Sequence, residues 1–182
     1  QIDEMFTNAS PYQTIFLMLG LMTGLRANEI CSLRWDYINF DAKLLHLPPG
    51  IRKGGSSHTI PLPDELLEYL KLLREKNRNT YYVLTHKGKR IKKFTRSWNQ
   101  LRKRLSFSTF QNEHKLRFHD LRHCYATYLR LSGHELSDIK ELLGHKSVTT
   151  TERYAHWYSD KKRPDVDSIC RIIDFSKRNQ EI

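Results

Sequence analysis

A histidine, an arginine three residues later, a second histidine behind a glycine and a tyrosine nine residues beyond that fall within one stretch, FHDLRHCYATYLRLSGHELSDIKELLGHKSVTTTERY, from Phe118 to Tyr154. His119 and Arg122 share a periodic segment with apolar Phe118, Leu121, Tyr125, Tyr128 and Leu129. At about 100° per residue the apolar positions form one helical stripe, with His119, Arg122 and small Ala126 along one edge. A proton-transfer group and a fixed cation therefore project together from a packed surface. Imidazole titrates near neutrality, so His119 can donate a hydrogen bond or move a proton. The planar fork of Arg122 can bond two oxygens of one phosphate. His145, after Gly144, adds a donor, and Tyr154 offers a phenol for nucleophilic attack. Tyr158 is its nearest rival; Tyr125 and Tyr128 read as buried. His119 and His123 have a spacing that can hold zinc. The acid of a metalloprotease helix is missing, because Asp120 is followed by Leu121, and no third ligand is evident. His123 reads as a packing or phosphate-side residue.

Other elements must hold these groups. YQTIFLMLGLMTG is almost wholly apolar and predicts a buried helix that Gly24 ends. ANEICSLRW predicts a second helix. Arg26 stands at the junction, either snorkelling to solvent or held for a purpose. Glu29 lies within helical reach and could orient it or simply pair with it. DYINF, KLLHL and SSHTIPL alternate as strands of a small antiparallel sheet, joined by DAK and by PPGIRKGGS. Arg52 and Lys53 stand beside the double-glycine turn, where a lysine is either a solvated hairpin charge or a group reaching into a cleft. PDELLEYLKLLREKN predicts an amphipathic helix with Leu66, Leu67, Leu70 and Leu73 inward. YYVLTHKGKRIKK predicts a short strand and a basic turn. FTRSWNQLRKRLSF predicts a helix with Phe94, Trp98, Leu101 and Leu105 inward. Lys87, Lys89, Arg90, Lys92, Lys93, Arg96, Arg102 and Lys103 then make a basic region suited to a nucleic-acid backbone. HELSDIKELLGH predicts another helix, with Leu136, Ile139, Leu142 and Leu143 apolar. Ser147 and Thr149 to Thr151 offer N-caps for a short helix carrying Tyr154.

Composition narrows the class. The 182 residues carry 31 Lys and Arg against 20 Asp and Glu, a formal net charge of +11. A pI near 9.7 favours a polyanionic partner, nucleic acid ahead of a membrane surface. Cys31, Cys124 and Cys170 are few and widely spaced, and read as thiols of a reducing compartment. No apolar run reaches membrane-spanning length.

HDLRH, then LGH, then Tyr154 behind a threonine-rich lead-in resemble the catalytic core of the tyrosine recombinases, the phage integrase family. TGLRANEI resembles that family's first-arginine motif, and Lys53 stands where the family carries a lysine on a hairpin. These anchors run from Thr23 to Tyr154, most of the chain. One departure is Cys124, where the family often has threonine; its place on the stripe predicts a packing effect only. The resemblance implies a mainly α fold with a small antiparallel β-sheet (α+β), of the tyrosine-recombinase catalytic-domain kind. It implies a catalytic domain over 1–160 and a tail or helix over 161–182 exchanged between protomers. A separate N-terminal DNA-binding domain is expected outside this sequence. The implied activity is site-specific DNA recombination or integration through a 3′-phosphotyrosyl link. The implied catalytic set is Arg26, Lys53, His119, Arg122, His145 and the nucleophile Tyr154, supported by Glu29. Arg52 joins the expected DNA contacts. No cofactor or metal is expected. Double-stranded DNA, a homo-tetramer on paired sites and room for accessory DNA-bending proteins are the expected partners, in the cytoplasm and away from membrane. Two other readings stay open. A non-catalytic helix-turn-helix DNA binder suits the helix–Gly133–helix pattern but leaves the Lys53 hairpin and Tyr154 unused. A type IB topoisomerase would share the chemistry without strand exchange between sites.

Overall fold

The computed structural model of the chain describes residues 1–52, 55–86, 88–109, 115–144, 149–152 and 154, with backbone alone at 149 and 150. It is mainly helical with small antiparallel sheets. A short helix, α1 (Ile2–Thr7), buries Met5 and Phe6; six residues are too few to show a period in sequence.

Helix α2 (Pro11–Thr23) runs through the core. Ser10 and Gln13 close a capping box ahead of it, and Pro11 pre-sets its first turn. Phe16, Leu17, Met18, Leu19 and Leu21 are buried to within 1% of complete. Gln13 is buried too, and its amide donates to the Ser97 carbonyl at 2.8 Å, which pins the start of α2 to α5 (Thr95–Arg102). Phe16 stacks on Phe94 at 3.6 Å between ring centres, and Phe118 meets both edge-on. Such aromatic pairs hold α2, α5 and α6 (Phe118–Leu131) in fixed register.

After α3 (Ala27–Ile30) and a single 3₁₀ turn (Trp35–Tyr37), strands β1 (Ile38–Asn39), β2 (Leu44–Leu47) and β3 (His58–Pro61) form an antiparallel sheet in that order. Leu45 faces Ile38 on one side and Ile60 on the other, and all three are buried. Helix α4 (Asp64–Lys76) buries Leu66, Leu67 and Leu70, as its period requires; Leu73 is only partly covered. In YYVLTH the apolar pair Val83 and Leu84 is buried but not paired as a strand. The ladder is β4 (Thr85–His86) with β5 (Lys89–Arg90), one step further into the basic turn. Phe94, Trp98, Leu101 and Leu105 all face inward around α5.

Helix α6 divides its apolar surface. Phe118 and Leu121 join the main core, while Tyr125, Ala126 and Leu129 form a second cluster with Ile139 and Leu143 of α7 (Leu136–Leu143) and with Tyr154. The tyrosine is thus packed against the helix that carries His119 and Arg122. Helix α8 (Thr149–Glu152) ends before Tyr154, so the tyrosine stands just past the helix rather than on it. Cys31 is buried, whereas Cys124 is only partly so. The tail over 161–182, Tyr158 and Cys170 lie outside the described residues.

Candidate active site

Arg26 is positioned by the start of α3. Its backbone N–H donates to Glu29 Oε2 at 2.8 Å and its Nη1 donates to Oε1 at 2.9 Å. Glu29 is 2% exposed, so the carboxylate end of this pair is buried while the Arg26 side chain stays partly open. The same carboxylate faces Arg52 Nε at 3.5 Å. Arg52 itself is buried, and its Nη2 donates to the carbonyls of Gly144 at 2.7 Å and Leu143 at 3.1 Å. Arg52 was expected among the DNA contacts, and the structure buries it. It clamps the end of α7 to the β2–β3 connection, two peptide carbonyls and a carboxylate satisfying its fork. Gly144 is left-handed (φ 60°), and a Cβ there would run into the Arg52 guanidinium. His58 adds a second tie from the sheet, donating from Nε2 to the Leu142 carbonyl at 3.0 Å. Burial, then the charge of Arg52, hold its pKa below the ordinary histidine value.

Arg122 projects from α6 into the gap between α2 and α7, where it is 4% exposed. Nη1 donates to the Gly24 carbonyl at 2.6 Å and Nη2 to the Leu143 carbonyl at 2.5 Å. Burial, then the charge of Arg26, push its pKa down to about 10, which still leaves it charged at neutral pH. The left-handed turn at Gly24 (φ 64°) aims that carbonyl, and a Cβ there would come within 2.6 Å of Tyr125. Arg26 and Arg52 thus share one carboxylate, Glu29, while Arg52 and Arg122 divide three backbone carbonyls, those of Gly24, Leu143 and Gly144. A guanidinium has five N–H donors, so Arg122 keeps donors beyond its two carbonyl bonds.

His119 sits one turn before His123 on α6 with its side chain exposed. Lost solvation, then the nearby charges of His123, Arg122 and Arg26, push its pKa down to about 4, so it is neutral at physiological pH. The His119 and His123 rings meet edge-to-face at 5.0 Å. Tyr154 is 5% exposed, and its hydroxyl lies 2.5 Å from His123 Nδ1. It also lies near enough to Arg122 to bear on that group's pKa. Sequence reasoning missed His123 as a partner of the phenol. The i, i+4 spacing from His119 was the available signal, and it was weighed only as a metal pair. Among the described residues no group of three or more His, Cys, Asp or Glu could hold a metal ion.

The structure therefore gathers Arg26, Glu29, His119, Arg122 and Tyr154 around α6 and the end of α2. Lys53, His145 and Lys87 lie outside the described residues. The basic residues after β4 sit elsewhere. Lys93, Arg96 and Lys103 line a cleft with Ser10 and Gln13, beside the start of α2. The arginine cluster is at its other end, about 18 Å away at 1.5 Å per residue along this 13-residue helix. Lys89, Lys92, Lys93, Arg96 and Lys103 are exposed. Arg90 is partly engaged, donating to the Cys31 carbonyl at 3.1 Å and to Ser32 Oγ at 2.8 Å. Arg102 is half-buried and donates to the Leu116 carbonyl at 3.3 Å.

The sequence model of the phage integrase family matches residues 1–161. The chain belongs to the phage integrase family. It is 34% identical over 144 residues to the tyrosine recombinase XerA of Pyrococcus furiosus, covering 77% of this chain and 48% of that protein. The chain thus spans about half the length of the curated relatives it matches. In fold it resembles a crystal structure of XerA recombinase, with a TM-score of 0.69 at 21% identity over 97% of this chain and 62% of the other. It likewise resembles the catalytic domain of bacteriophage HP1 integrase, with a TM-score of 0.62 at 19% identity over all of this chain and 92% of the other. No helix among the described residues of this phage integrase family member is long and apolar enough to cross a membrane.

Proposed function

We propose that this chain is the catalytic domain of a site-specific DNA recombinase or integrase that cuts and rejoins double-stranded DNA through a 3′-phosphotyrosyl link. The observation that carries the reading is the buried Tyr154 phenol, bonded to His123 and packed beside the charged, nearly enclosed Arg122. A phenol can attack phosphorus and later leave again, and a phosphate under attack gathers negative charge that fixed guanidinium donors stabilise. Tyr154 Oη bonds to phosphorus as the P–O5′ bond breaks. Arg26 and Arg122 donate to the non-bridging oxygens, with His119 and His145 as further donors. Lys53 protonates the departing 5′ oxygen. A 5′-hydroxyl of a partner strand then attacks the phosphotyrosine and frees the phenol. The bond energy stays in the covalent link, so the sequence of steps balances without ATP.

The net charge of +11 supports a DNA partner. We assign the backbone contacts to Lys87, Lys89, Arg90, Lys92, Lys93, Arg96, Arg102 and Lys103, and the event to the cytoplasm. Assembly as a tetramer on paired sites, with residues 161–182 exchanged between protomers, completes the proposal; truncation after Asp160 should weaken that assembly. The decisive experiment offers nicked suicide DNA, including the ends of the genetic element that encodes the chain, and maps the protein–DNA adduct. The adduct should fall on Tyr154 and vanish in Tyr154→Phe while gel-shift binding persists. An adduct that survives in Tyr154→Phe would falsify the assignment. Cleavage with relaxation but no exchange between paired sites would point to a topoisomerase instead. A bridging 5′ sulfur, which leaves without a proton, should rescue Lys53→Ala but not Arg122→Ala.

A further inference from the structure

We propose that His123, rather than His119, takes the proton from the Tyr154 phenol during strand cleavage, a step that rests on reading Tyr154 as the nucleophile. Three observations carry it. His123 Nδ1 is 2.5 Å from the phenol oxygen, in direct contact and closer than an ordinary N···O hydrogen bond. Tyr154 is 5% exposed, so water has little access to take the proton in its place. His119 stands on the other side of His123, its ring meeting the His123 ring edge-on at 5.0 Å between centres.

The protons and electrons balance as follows. In the neutral Nε2–H tautomer, His123 Nδ1 carries the lone pair that faces the phenol. The phenol proton moves from Oη to Nδ1, and the O–H electron pair becomes the new Oη–P bond. The P–O5′ bond breaks and its electrons leave on the 5′ oxygen, which is protonated by a separate donor. His123 ends as imidazolium. On rejoining, the same Nδ1–H returns the proton to the departing phenolate. Below the histidine pKa, Nδ1 is already protonated and donates to the phenol, so the base is absent. Among the described residues the pair is coupled to two charged or titratable neighbours, His123 to His119 and Tyr154 to Arg122, and those neighbours in turn feel Arg26, Arg117, Glu29 and Arg52. Arg122, beside Tyr154, favours the phenolate. His119 is held down to about 4, which makes it a weak base toward a phenol but a serviceable neutral donor to a phosphate oxygen.

The test is single-turnover cleavage of suicide DNA by the 182-residue chain from about pH 5 to about pH 9, bracketing ordinary histidine titration. The unaltered chain should show a rising limb in the histidine range. His123→Asn keeps a hydrogen-bonding group near Nδ1 but cannot take a proton. It should lose that limb and about 10²-fold or more in rate, with gel-shift affinity unchanged within a few-fold. His123→Ala should regain part of its rate with added imidazole, a response that a purely structural histidine would not give. A limb that persists in His123→Asn and disappears in His119→Asn overturns the proposal, as does wild-type rate in His123→Asn. Peptide mapping keeps the two claims apart. An adduct on another tyrosine sinks the reading of Tyr154, whereas an adduct on Tyr154 with an unchanged pH profile sinks only the role of His123.

Discussion

Replacing Glu29 by glutamine keeps the shape of the side chain and removes the single carboxylate shared by Arg26 and Arg52. In the native chain that carboxylate is 2% exposed and accepts from the Arg26 N–H at 2.8 Å, Arg26 Nη1 at 2.9 Å and Arg52 Nε at 3.5 Å. Glutamine offers one acceptor oxygen and one amide donor, so one of the two close contacts becomes donor against donor. Losing one charge-assisted hydrogen bond costs about 1.5–3 kcal/mol. Stranding a fully buried charge would cost about 3–5 kcal/mol. The true figure should sit near the lower range, for two reasons. The Arg26 side chain is 36% exposed and can be solvated. Arg52 keeps its two carbonyl bonds. We expect a loss of about 3 kcal/mol, which for a chain of this size lowers Tm by about 6–12 °C. A bound DNA phosphate would supply a replacement anion beside the arginines, so the deficit should narrow when melting is repeated on DNA. Thermal melting with and without DNA reads both effects. A Glu29→Gln Tm within about 1 °C of the native chain would show that the carboxylate does not hold the cluster. An equal deficit with and without DNA would show that no phosphate comes near it.

Arg122→Lys keeps the charge but cannot span the Gly24 and Leu143 carbonyls while presenting a fork to phosphate; cleavage should fall by about 10²–10³-fold while gel-shift affinity stays within a few-fold. Equal losses in both assays would mark Arg122 as a binding residue only. Gly24→Ala puts a Cβ at 2.6 Å from Tyr125 and 2.8 Å from Leu143, on a left-handed backbone, and should cost about 2–4 kcal/mol by chemical denaturation. A change below about 0.5 kcal/mol would mean that the turn and its neighbours yield easily. The folded pKa of His119, about 4, lies below its ordinary 6.5, so the folded state resists its protonation. Stability should therefore be level above pH 6.5 and fall as pH drops from there toward 4, with His58 adding in the same direction. His119→Asn should flatten part of that fall in urea titrations across the range; an unaltered slope would put the proton uptake on other groups.

Much of this molecule was legible in its residue order. The periods of YQTIFLMLGLMTG, PDELLEYLKLL and FHDLRHCYATYLRL set α2, α4 and α6, because a helix repeats over its own neighbours. Gly24 marked a helix end, and the alternation over residues 36–62 marked the three-stranded sheet. The family followed from a few chemical groups in order. What neighbours in sequence cannot report is which distant group fills a fork or meets a hydroxyl. Arg122 reaches Gly24 across 98 positions, Arg52 reaches Leu143 across 91, and His123 meets Tyr154 across 31. Local pattern placed Arg52 beside a glycine turn as a DNA contact and gave His123 a packing or phosphate-side part, not a bond to the phenol. Packing around α6 set His123 against the phenol, and the end of α7 with Glu29 enclosed Arg52, since a buried guanidinium must find carbonyl or carboxylate partners and a buried phenol must find a polar one. Those pairings depend on how helices already formed come to lie against one another, and only the tertiary structure holds that information.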